Sequence, residues 1–204
     1  MSSGISYPVF RTSDPAEALA VAWRLIALGE CEYAEVSVEA ELCTVPEVLR
    51  LRRGLPDGWF RTESDDFWAR ERDDPTQWRY EYRASELSGD PDDLGPMLPI
   101  WVSVLDQSLG SVEDSFAGLV GANFGSISWR QLIWPQAPEL GYDGRVEHDR
   151  VTLVLNCNAE GTDLEAGTHT LCIGLQRGPE ADGYAGWLAG QVGRTVIGLP
   201  YEAF

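Results

Sequence analysis

Between Ala34 and Leu42 apolar and polar residues alternate without interruption: Ala34, Val36, Val38, Ala40 and Leu42 interleave with Glu35, Ser37, Glu39 and Glu41. Successive side chains of an extended chain point to opposite faces, so a period of two marks a strand with one buried and one wet face. No other segment constrains the fold as tightly. The same register places Glu35, Glu39 and Glu41 in a row opposite the apolar side, so the strand also predicts an acidic surface.

Elements on either side follow from their start and stop signals. Asp14 can cap a helix, Pro15 suits its first turn, and Glu17 stands where a capping box places it; the helix then runs to about Leu28 before Gly29. A short helix is predicted over Pro46 to Arg53, after Thr44 and before Gly54. Trp78, Tyr80 and Tyr82 alternate with Arg79, Glu81 and Arg83 as a strand, with the aromatic side buried. Ser88 to Pro99, rich in Gly and Pro, reads as a loop and as the place for a subdomain boundary within one domain spanning residues 1–204. Ile100 to Leu105, Val151 to Leu155 and Leu171 to Leu175 read as strands; Ser111 to Gly125 and Tyr184 to Val192 read as helices. The Gly118, Gly121 and Gly125 stretch is expected to close the first of these by tight packing. This order of elements predicts an α+β fold with a mostly antiparallel sheet and a few flanking helices.

Composition narrows the chemistry. The 204 residues include 15 basic and 33 acidic ones, a formal charge of −18. All the basic residues are Arg, which removes every mechanism that needs a lysine amine. No apolar run is long enough to span a bilayer, and no basic region followed by an apolar core opens the chain, so cytoplasmic residence without membrane attachment is the expectation. Cys31, Cys43, Cys157 and Cys172 are far apart and are expected to be reduced thiols.

Enzyme signatures are missing: there is no Gly-x-Ser-x-Gly elbow, His-Glu-x-x-His helix, Cys-x-x-Cys pair or strand-linked Gly-x-Gly-x-x-Gly. No catalytic residue, cofactor or metal is therefore assigned. The one grouping with catalytic or ligand chemistry is His148, Asp149, Asp163, Glu165 and His169, which would make a small-molecule site or a metal-assisted enzyme from carboxylate and imidazole groups. A structural subunit of a larger assembly is a third reading.

Charge and aromatics favour protein binding. Glu30, Glu32, Glu35, Glu39, Glu41 and Glu47 follow one another with no positive residue between them; Asp90, Asp92 and Asp93 form a second acidic run, and Asp65 and Asp66 belong to a third, partly offset by Arg61, Arg70 and Arg72. Such a surface repels nucleic acid, whose binding depends on phosphate neutralisation, and attracts a basic protein. Trp59 and Trp68 lie where periodicity is poor and are the expected exposed anchors, since aromatics dominate interface hot spots. The expectation is a non-enzymatic inhibitor or immunity protein that engages a basic partner, such as a toxin, through Glu35, Glu39, Glu41, Trp59, Asp65, Asp66 and Trp68.

Overall fold

The computed structural model describes residues 4–62, 81–142, 149–158 and 166–203. Its strands are β1 (Gly4–Thr12), β2 (Glu35–Leu42), β3 (Trp59–Thr62), β4 (Glu81–Arg83), β5 (Ile100–Ser108), β6 (Gly125–Arg130), β7 (Arg150–Leu155), β8 (His169–Gln176) and β9 (Tyr201–Ala203). The helices are α1 (Pro15–Ile26), α2 (Val45–Gly54), the single turn α3 (Pro91–Leu94), α4 (Glu113–Val120) and α5 (Ala181–Gln191). All nine strands join one sheet in the order β4-β3-β5-β2-β6-β7-β8-β1-β9, and every pairing among them is antiparallel. The fold is α+β, as the element order predicts.

Local chemistry accounts for the helix ends. The Asp14 side chain accepts from the Ala16 N–H at 2.9 Å, and Pro15 opens α1. Glu17 does not close a capping box on Asp14; its carboxylate accepts instead from the Thr12 hydroxyl at 2.7 Å, tying the helix to β1. At α2, Glu47 accepts from the Thr44 N–H at 2.9 Å and the Cys43 N–H at 3.1 Å, the reciprocal contact that pins a first turn. Ser88 to Pro99 is not a plain loop: it holds α3 and a 3-10 turn, Gly95–Met97, and buries Leu94 and Met97.

The core lies on one face of the sheet. Cross-strand register aligns Val36 with Trp129 and Val151, and Val38 with Ile127 and Leu153. These residues are buried together with Leu25, Leu51, Phe116 and Leu188 of the helices. Gly125 lets α4 approach the sheet closely, because a Cβ there would stand 2.9 Å from Val120 Cγ2 and 3.0 Å from the Glu39 carbonyl oxygen. That close approach, rather than helix termination, is the role of this glycine; α4 stops earlier, at Val120, with Gly121 at a positive φ of 65°.

Among the described residues no helix is long and apolar enough to cross a membrane. The cysteines are thiols outside any disulfide, with Cys157 and Cys172 buried.

Candidate functional site

The alternation of β2 sets the chemistry of the other sheet face. Val36, Val38, Ala40 and Leu42 point into the core, and Glu35, Ser37, Glu39 and Glu41 therefore share the opposite side. The neighbours are assigned by register. Arg130 stands beside Glu35, Ser128 beside Ser37 and Ser126 beside Glu39, while on β5 Ser103 stands beside Glu39 and Trp101 beside Glu41. Further out, β3 sets Arg61 next to Trp101 and Trp59 next to Ser103.

This face is concave. A groove of about 460 Å³ runs over it, lined by Glu39, Ser126, Ser128 and Trp101 together with the arginines Arg61, Arg130 and Arg150. The Ser126 hydroxyl donates to Glu39 Oε1 at 3.3 Å. Trp101 meets Phe124 edge-on, with ring centroids 5.9 Å apart, which holds both rings in one orientation. Arg150 reaches the groove because β8 has a glycine beside it: a Cβ at Gly174 would lie 2.4 Å from Arg150 Cγ.

One end of the groove is closed by a link across three strands. The Arg130 guanidinium, from β6, donates to the Ser37 hydroxyl of β2 at 2.9 Å and forms an ion pair with Asp106 of β5. Asp106 occupies a bulge in β5, with φ of 55°, and its N–H donates to the same Ser37 oxygen at 3.1 Å. The extra residue turns the Asp106 carboxylate toward Arg130, as bulges re-aim side chains. Beyond this link lies a second depression of about 330 Å³ between the β2 start and the ends of β5 and β6.

No protein-family model, curated protein or solved structure matches this chain.

The sequence-predicted residues fall into separate groups. Glu35, Glu39 and Glu41 share one face, and Trp59 stands on the same face with the Arg83 guanidinium 4.2 Å from its ring centroid. Trp59 is thus half-buried under an arginine rather than a bare anchor. Asp65, Asp66 and Trp68 lie outside the described residues, as do His148, Asp163 and Glu165.

Asp149 and His169 do not meet. Register places Asp149 at one end of the β7–β8 pair and His169 at the other, roughly 20 Å apart along the strands. His169 is buried, and its Nδ1 accepts from the Asn156 N–H at 3.1 Å. Burial holds its pKa below the usual histidine value, despite the opposing Ser13 backbone hydrogen bond and the Asp14 charge. Among the described residues no group of three His, Cys, Asp or Glu side chains is placed to hold a metal ion.

Sequence reading missed Arg130 and Arg150 of this face, and the serines between. The alternation of Ser126, Ile127, Ser128 and Trp129 was the available signal for β6. The partnership of Arg130 with Asp106, by contrast, depends on a bulge that no local pattern marks.

Proposed function

We propose that this chain is a non-enzymatic protein-binding domain, an inhibitor or immunity-type protein whose sheet face opposite the core receives a basic partner such as a toxin. The observation that carries the reading is the row Glu35, Glu39 and Glu41 on the sheet face opposite the core, with Glu39 lining the groove, in a chain with net charge −18. A field of that sign steers a basic protein and speeds its encounter. The serines and arginines of the same face supply directional hydrogen bonds that fix how the partner sits, and Trp101 and Trp59 supply the apolar area that interface anchors need. Capping of Trp59 by Arg83 keeps that ring in place before binding.

The test is the association rate with the basic partner recovered from the source lysate, measured at two or more ionic strengths. Replacing Glu35, Glu39 and Glu41 together by Gln slows association at least about tenfold at low salt and flattens its salt dependence. The Gln variant keeps size and hydrogen bonding, and its circular dichroism and melting verify folding. An unchanged rate in a folded variant sinks the reading.

The groove's size favours a second reading. A volume of about 460 Å³ lies within the range of small-molecule sites, roughly 300–1,000 Å³, so a polar ligand seated against Trp101 is the alternative occupant. A partner that competes with no small molecule, and whose binding fails with the triple Gln change, separates the two.

A further inference from the structure

We infer that the depression beyond the Arg130–Asp106 link is a docking pocket for an arginine side chain of the basic partner, with Tyr33 as its aromatic wall; this rests on the protein-binding reading above. Tyr33 is 64% exposed, one of the large apolar side chains that the described surface leaves open. The loop that carries it is fixed at both ends. Glu30 and Ile133 exchange backbone hydrogen bonds of 2.9 and 3.1 Å, and the Ala34 N–H donates to the Cys31 carbonyl at 3.2 Å. The backbone that carries Tyr33 is therefore held by a closed turn, which lowers the entropy lost when a partner packs on it.

The surroundings state which partner group fits. The pocket is lined by Glu32, Glu35, Asp106, Gln107 and Gln131 with Tyr33; Asp106 is engaged by Arg130, so Glu32 and Glu35 are the carboxylates that meet a partner. Gln131, at φ of 58°, donates from Nε2 to Glu35 Oε2 at 3.0 Å and so orients that carboxylate across the pocket floor. Planar acceptors beside an exposed ring match a guanidinium better than an ammonium, because a guanidinium stacks on the ring and donates in a fork to carboxylates. On the far side of the link Leu105 is 50% exposed, so a segment presenting an arginine here has an apolar contact next to it. The occupant is accordingly an arginine-presenting segment of a folded basic protein.

The experiment is a heteronuclear NMR titration of the full chain at low salt with a hexa-arginine peptide and, separately, a hexalysine peptide. The expected result is that the arginine peptide binds more tightly. It shifts the Tyr33 ring and the Gln107 and Gln131 side-chain amides, and Tyr33→Ala weakens binding about three- to tenfold while Tyr33→Phe does not. Tyr33 is exposed, so the alanine variant folds. Binding of equal strength in Tyr33→Ala, with shifts confined to Glu39, Trp101 and Ser126, overturns the pocket and leaves the wider reading standing. Equal affinity for the two peptides overturns the choice of guanidinium. Absence of binding by either peptide at low salt removes both the pocket and the reading beneath it.

Discussion

The Tyr142 hydroxyl donates a 2.7 Å hydrogen bond to Oδ2 of Asp149, a carboxyl that is only 1% exposed. Tyr142 is stacked on Tyr184 with ring centroids 3.6 Å apart, so the carboxyl stands in an aromatic pocket on the helix side of the sheet. Burial pushes its pKa up from 3.8 to about 7, against the lowering effect of the Tyr142 hydroxyl and the Trp134 N–H. The consequence is a pH-dependent stability. Between about pH 4 and pH 7 the unfolded chain has ionised this group while the folded protein retains the proton. A raised folded pKa contributes stability that is fully present below the unfolded value and is lost as pH rises through the folded one. The melting temperature should therefore fall between about pH 4 and pH 7, and Asp149→Asn, which stays neutral, should flatten that fall. A variant with the same slope as the parent would assign the dependence elsewhere.

Glu113 is a second buried carboxyl, 1% exposed, but it is fully engaged. It accepts from Trp129 Nε1 and the Gly110 N–H at 2.9 Å each and from the Val112 N–H at 3.1 Å. Glu113→Ala leaves those donors buried without an acceptor and should cost about 3 kcal/mol, read as a lower urea midpoint at unchanged slope. Glu113→Gln, which keeps one oxygen, should recover part of the loss. Equal midpoints for the parent and the alanine variant would refute the role.

Gly174 and Arg150 occupy one space. Gly174→Val should lower stability by roughly 1–3 kcal/mol through overpacking and displace the Arg150 side chain from the groove. Because the clash is with that side chain, Arg150→Ala should relieve most of the loss. A double-mutant cycle checks this: additive losses would show that the valine disturbs β8 itself.

The sequence made legible those elements whose two faces differ. β2 packs one side and wets the other, so its alternation survives in the residue order, and the Thr44–Glu47 contact marks α2 in the same local way. β1 was not foreseen, because Ser6, Tyr7 and Val9 are buried on both sides and a bulge between Pro8 and Phe10 breaks the period. β3 and β9 are too short to carry a pattern. For the site, the carboxylate row was readable from spacing alone. The arginines that share its face arrive from strands distant in sequence, and only register brings them together. Asp149 and His169 show the converse: Asp149 precedes β7 and His169 opens β8, and antiparallel pairing sends the start of one strand and the start of the next to opposite ends.

The position of β1 between β8 and β9 has a consequence for the order of events at the ribosome. Gly4 finds its sheet partner at Gln176, and Ser6 finds its other at Tyr201, so β1 pairs only with strands made much later than itself. Until β8 emerges, β1 has neither neighbour, and its apolar residues Tyr7, Val9 and Phe10 stay uncovered on that side. Pairings of such sequence separation slow folding and lengthen exposure of sticky surface. β2, β5 and β6 lie nearer to one another in the chain and form the centre of the sheet without it. Nascent chains halted before β8 should therefore hold a protease-resistant β2–β5–β6 unit and a cleavable β1, a burden for chaperones concentrated in that one strand.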